Sequence, residues 1–396
     1  MLTLLRTSRW IKTGAILAAL FLSVSATGAQ AFETRASAAF VIDQKTNTVL
    51  LSKNADIPLP PASMSKLMTL YMAFEALREG RLTLDEKLPV SQHAMSYGGS
   101  TMFLDTTDRV SVEDLLRGIV VLSGNDACVV IAEAISPDGT EAGFARLMTQ
   151  RAQKLGMTSS TFTNSNGWPQ VGHLMSVRDL ALLADRLIVD FPEFYPLFAE
   201  TEFAFDGRAP GNSRNRNPLL NLNIGADGLK TGHTQEAGYG LVGSAVQGDR
   251  RVIFVLSGLE SVALRAQESE AIVNWSFRQF AERTLAPAGT RFAVADVWMG
   301  AQPNVGLVAA EDVSVLMPIL TGKEVSGEVV YTGPITAPIQ QGQPIAELVI
   351  AREGLPDTRV PLVAETAVPH GGFLSRVSTA GQILLGRIIE SPEGAM

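Results

Sequence analysis

The sequence predicts a mixed α/β (α+β) domain with a mainly antiparallel sheet and a helical lobe, followed by a small all-β domain. Three observations lead there. β-prone runs stand at both ends of the first 285 residues, helical periodicity fills the stretch between them, and beyond Pro287 the chain becomes short β-prone pieces spaced by Gly and Pro.

Residues 1–31 come first. Arg6, Arg9 and Lys12 precede an apolar run from Ala15 to Val24, which ends in small residues at Ala29-Gln30-Ala31. That is the layout of a cleaved secretory signal peptide, and its apolar run falls well short of the roughly twenty residues that span a bilayer. Phe40-Val41-Ile42 and Thr48-Val49-Leu50-Leu51, joined by Asp43 to Asn47, read as a hairpin. From Ser63 to Glu79, Leu67, Leu70, Tyr71, Phe74 and Leu77 recur at helical spacing, and Gly80 supplies the stop. Ser111 with Asp114, and Ser176 with Asp179, have capping-box spacing ahead of Leu-rich runs and so start helices. Tyr239–Val246 and Val252–Leu256 are strands linked by Gly248-Asp249, and an amphipathic helix runs from Ala263 to about Glu282. The larger domain is accordingly set at 32–285. A β domain follows over 290–370, with strands at Val313–Leu316 and Val329–Tyr331. Residues 372–390 place Phe373, Leu374, Val377, Leu384, Leu385 and Ile388 at helical spacing, the pattern of an amphipathic helix lying on a membrane surface.

Charge narrows the function. The net charge of −8 becomes −11 once the leader is gone, because three bases and no acid leave with it. An acidic chain lacks the basic footprint that nucleic acid requires. Cys128 is the single cysteine, so no internal disulfide can form, and within Ala127–Ile131 it reads as a buried, inert thiol. His93, His173, His233 and His370 are scattered without ligand-like spacing, so neither a catalytic metal nor any other cofactor is expected.

Three short motifs carry chemistry. Ser63-Met64-Ser65-Lys66 puts a hydroxyl and an amine one helical turn apart on one face, where a neutral Lys66 takes the proton of Ser63. Ser123-Gly124-Asn125 offers a proton-relaying hydroxyl and a substrate-holding amide at a loop before a helix. Lys230-Thr231-Gly232, followed by His233, supplies a cation, a hydroxyl and a position without a side chain on an edge strand, suited to a peptide with a terminal carboxylate. Each is weak alone, since Lys12-Thr13-Gly14 in the leader repeats the third; their order and spacing together are specific.

With these motifs, and the local text Pro61–Thr69, Ser123–Cys128 and Leu229–Thr234, the chain resembles the low-molecular-mass penicillin-binding proteins, specifically the serine D-Ala-D-Ala carboxypeptidases. The resemblance covers almost the whole mature chain. It implies a serine β-lactamase/transpeptidase-like fold, with Ser63 as the acyl-ester nucleophile, Lys66 as its base and Ser123 assisting proton transfer. Asn125 would hydrogen-bond the substrate, and Lys230 and Thr231 would read its carboxylate end, with Arg265 near by. The backbone amides of Ser63 and His233 would form the oxyanion hole. Met64 and Ser65, which depart from the usual family residues, would point away from the chemistry. The implied partners are a peptidoglycan stem peptide ending in D-Ala-D-Ala, β-lactams as covalent inhibitors, and the outer face of the cytoplasmic membrane, which makes the protein periplasmic.

A class A β-lactamase needs a glutamate-bearing loop for deacylation, and Phe162–Trp168 holds no acid. A β-lactam-binding sensor would call for a spanning segment, and the mature chain offers none. A DD-endopeptidase of the same family shares every motif and remains open.

Overall fold

The computed structural model describes residues 32–209, 211–319, 325–352 and 355–373. The leader, and all of the expected C-terminal helix but Gly372 and Phe373, lie outside these residues. In chain order the first domain contains β1 (Ala38–Asp43), β2 (Thr48–Lys53), α1 (Lys66–Arg78), β3 (Lys87–Pro89), α2 (Gln92–Met95), β4 (Arg109–Ser111), α3 (Val112–Arg117), α4 (Asn125–Ile135), α5 (Glu141–Leu155) and α6 (Val177–Asp190). Then come β5 (Ala226–Thr234), β6 (Gly238–Gln247), β7 (Arg250–Leu259) and α7 (Val262–Arg278).

Strands from the two ends of this stretch form one antiparallel sheet in the order β2-β1-β7-β6-β5, as the sequence reading expects. Both faces are covered, which explains the unbroken apolar run of β7. Val252, Phe254 and Leu256 pack with Ile272 and Val273 of α7, while Ile253 and Val255 join the core of the helical lobe. The α1 helix runs through the middle of that lobe and is buried on every side from Lys66 to Phe74. A helix apolar all round belongs in a core, so the lysine at its start is carried into the interior with it.

The expected caps form. Ser111 Oγ accepts from the Asp114 amide, Ser176 Oγ from that of Asp179, and Gly80 takes the left-handed conformation that ends α1. Ser63 lies in a 3-10 turn, Ala62–Ser65, and the α-helix proper opens at Lys66. One expectation fails: α7 stops at Arg278 and does not reach Glu282. Phe280–Ala286 is instead a strand, β8, paired with β11 (Val313–Pro318), because cross-strand partners outweigh helical propensity there.

The C-terminal strands β9 (Arg291–Trp298), β10 (Asn304–Ala309), β11, β12 (Val325–Val330), β13 (Ile335–Thr336), β14 (Pro344–Arg352) and β15 (Leu355–Ala364) enclose a separate apolar core centred on Val297, Leu307, Val315, Leu348 and Leu362. Lys45, in the β1–β2 turn, bridges to Glu282 of β8 at 2.6 Å. The buried Arg250–Asp43 pair adds a bond from the guanidinium to Phe280 O at 2.8 Å. The β domain is thus tied to the β1–β2 turn and the start of the central strand β7, leaving edge strand β5 to the cleft.

Candidate active site

Ser63, Ser123, Asn125 and Thr231–His233 line one cleft of about 440 Å³, between the start of α1, the Ser123 turn and the edge strand β5. Residues far apart in sequence converge because α1 points its N-terminus at β5, and α4 begins beside both.

Lys66 Nζ lies 2.9 Å from Ser63 Oγ, 2.7 Å from Asn125 Oδ1 and 2.6 Å from Asn166 O. Asn125 Oδ1 and Asn166 O can only accept. They fix two N–H groups and leave the third direction for Ser63, a hydroxyl able to donate into a nitrogen lone pair. Burial above all, with the positive charge of Arg216, brings the Lys66 pKa down to about 8 against the opposing pull of Asp126 and Glu141. The arrangement suits a neutral amine poised to receive a proton.

Ser123 has a left-handed backbone (φ +63°) at the turn before α4, and this conformation turns its hydroxyl inward. Lys230 Nζ donates to Ser123 Oγ at 2.9 Å and to Thr231 O at 3.2 Å. Lys230 is buried, and burial together with Lys66 and Arg216 holds it well below the ordinary lysine pKa. Its Nζ is thus engaged by a hydroxyl and a backbone carbonyl, while two guanidiniums that line the cleft, Arg216 and Arg265, are the groups at hand for a carboxylate. Arg265 is buried; it donates to Arg216 O at 3.3 Å and leaves Nε without a partner. Arg216 bonds Ser100 Oγ at 2.9 Å and Leu122 O.

Gly232 departs from its expected use. A Cβ there would come 2.9 Å from Met64 Cγ and 3.0 Å from Pro61 O, so the missing side chain lets β5 approach the turn that carries Ser63. Met64 does point away from the cleft, beneath Gly232 and Gly240, and Ser65 Oγ binds His173 Nε2 at 2.7 Å. His233 is exposed and stacks on Tyr239 with ring centroids 3.9 Å apart. Cys128 is buried beside Lys66, and burial raises its thiol to about 12, the inert state expected.

Sequence reasoning missed Arg216, Asn166 and Trp168, which sit in loops without a motif. It also missed Asp126, whose buried carboxylate accepts from the Met102, Leu104 and Ala127 amides and so pins the loop that forms one wall. Only the position of Asp126, directly after Ser123-Gly124-Asn125, was a signal.

A family model described as D-alanyl-D-alanine carboxypeptidase matches residues 25–260. The chain belongs to that family. A second model, described as penicillin-binding protein 5, C-terminal domain, matches residues 280–370 of this carboxypeptidase. D-alanyl-D-alanine carboxypeptidase DacC of Escherichia coli is 38% identical to it over 351 residues, covering 86% of each chain. DacF of Bacillus subtilis is 33% identical over 86% of this chain and 87% of its own. Penicillin-binding protein 5 of Haemophilus influenzae superposes with a TM-score of 0.74 at 32% identity, covering 86% of this chain and 99% of that one. The carboxypeptidase thus has the penicillin-binding-protein fold, with an α/β transpeptidase-like domain and a C-terminal all-β domain, and is a serine hydrolase of the cell wall.

Proposed function

We propose that this carboxypeptidase removes the terminal D-alanine from peptidoglycan stem peptides through an ester on Ser63, and that β-lactams acylate the same oxygen. Ser63 Oγ attacks the penultimate D-alanine carbonyl while Lys66 takes its proton, and the backbone amides of Ser63 and His233 receive the oxyanion. As the C–N bond breaks, Ser123, held by Lys230, relays to the leaving amine the proton that Lys66 took, so that Lys66 and Ser123 both return to their starting states. Water then cleaves the ester and restores Ser63. Asn125 Nδ2 already donates to Gly98 O at 2.8 Å, and its second N–H is left for a substrate carbonyl. Thr231, Arg265 and Arg216 face the carboxylate, with Lys230 behind Ser123.

The observation that carries this reading is the Lys66 amine, buried between two obligate acceptors and 2.9 Å from Ser63 Oγ. Ser63→Ala should abolish both covalent penicillin labelling and D-alanine release while the thermal transition stays in place. Penicillin attached to the Ser63→Ala protein, read by intact mass, would remove Ser63 from the role.

The mature protein works in the periplasm, held to the outer face of the cytoplasmic membrane by residues 372–390, a reading supported by the helical spacing of their apolar residues in the sequence. A chain ending at His370 should leave the membrane fraction and keep its activity on a soluble pentapeptide. A full-length mature protein with no affinity for anionic vesicles would end the anchor reading alone.

A further inference from the structure

The mechanism above gives no part to Glu141, although its side chain is 6% exposed and both carboxylate oxygens are engaged. It opens α5, behind Thr140, whose hydroxyl caps that helix at the Gly143 amide. Oε1 accepts from the Ser165 amide at 2.9 Å, from Ser165 Oγ at 2.6 Å and from Asn166 Nδ2 at 3.4 Å. Oε2 accepts from Tyr97 Oη at 2.8 Å and lies 2.7 Å from His93 Nε2. One carboxylate thereby joins two stretches of chain that flank the catalytic lysine.

Each stretch hands Lys66 one of its fixed acceptors. Asn166 gives its carbonyl directly, and Thr69 of α1 holds the same loop through Ser165 O at 2.5 Å. Tyr97 precedes Gly98, whose carbonyl accepts from Asn125 Nδ2, and Asn125 Oδ1 is the other acceptor of Lys66. A displacement of either wall therefore moves an acceptor of the lysine, and small misplacements of reacting groups cost rate steeply.

We infer that Glu141 is a positioning residue for acylation, clamping the Asn166 loop and the Tyr97–Gly98 segment so that Lys66 is held against Ser63. The inference rests on Lys66 acting as the base of Ser63. Glu141 also reaches the lysine as a charge. Lys66 faces Asp126 and Cys128 from α4, Arg216 and Lys230 from the opposite wall, His173 beside Ser65, and Glu141 from α5. Glu141 in turn faces His93, Tyr97, Glu133, Cys128 and His173. Its negative charge favours protonated Lys66, so its neutralisation frees the base at lower pH.

The test is the pH profile of Ser63 acylation by a labelled penicillin, measured on the mature protein and its variants by stopped-flow or quenched gel. Glu141→Gln keeps the shape and removes the charge. It should lower the high-pH plateau about 10- to 100-fold, by loosening the clamp, and move the acid limb to lower pH. Ser165→Ala and Tyr97→Phe each remove one strut and keep the charge, so the plateau should fall with the limb unmoved. Plateau rates within twofold of the parent in Glu141→Gln and both strut variants would overturn the inference, as would a Glu141→Gln plateau loss with an unmoved limb. Lys66→Ala separates the two readings. If it acylates at the parent rate the proposed mechanism fails, whereas an inactive Lys66→Ala beside an unaffected Glu141→Gln sinks the clamp alone.

Discussion

Acylation should switch on as pH rises through about 8, the value to which burial brings Lys66. A lysine of ordinary pKa, 10.5, is neutral in about one molecule in 3,000 at pH 7, whereas one at about 8 is neutral in about one in 11. The site therefore contributes about 300-fold in available base at neutral pH. The sign follows from the base being the deprotonated form: the second-order rate constant with a penicillin climbs tenfold per pH unit below the limb and levels off above it. Arg216 is the natural perturbation, because its positive charge helps hold Lys66 down. Arg216→Gln should move the limb to higher pH, opposite to the effect of Glu141→Gln, and should weaken carboxylate-bearing ligands besides. Saturating stopped-flow acylation between pH 5 and 11, with intact mass to confirm one adduct, reads both changes. A profile flat from pH 6 to 9 would refute Lys66 as the base, and one still rising beyond pH 10, as an unperturbed lysine gives, would refute the lowering of its pKa by burial. A limb unmoved in Arg216→Gln would refute the electrostatic account of its position.

The remaining expectations concern the loop behind Lys66 and the end of the chain. Gly167 has φ +79°, and a Cβ there would stand 1.9 Å from Ala62 O, on the residue just before the nucleophile. Gly167→Ala should cost about 3 kcal/mol or more, from left-handed strain plus the backbone clash, and should slow acylation; an unchanged Tm with an unchanged rate would show that the turn yields freely. Removal of residues 371–396 should release the protein from membranes and leave the acylation profile as it was, checked by fractionation and by the same penicillin assay.

The convergence of the candidate site was legible where it depends on local spacing. Ser63 and Lys66 are three apart, so any helix opening there brings them together, and the same locality places Ser123 with Asn125 on the turn before α4. Strand and helix order followed from periodicity, because a sheet whose strands come from both ends of a domain leaves apolar runs at both ends of the sequence. The limits of that reading have physical causes. Residues 280–282 continue a helical pattern, yet they pair with Leu316–Pro318, a choice that depends on a strand more than thirty residues away. Gly232 was legible as a position needing no side chain, but only packing reveals that Pro61 and Met64 occupy the space.

By itself, then, the sequence determined which side chains meet at the proposed catalytic centre, Ser63 with Lys66 and Ser123 with Asn125, and the edge strand, all of which are set by contacts within a turn or by alternation along a strand. Tertiary structure alone decided which charges surround Lys66. Arg216, Asn166 and Glu141 come from loops and a helix start 75 to 150 residues away, brought in because the helical lobe folds around α1. Electrostatic influence acts through space and leaves no period in the chain, so the lowered pKa of the lysine, and with it the chemistry at neutral pH, exists only once the lobe has closed.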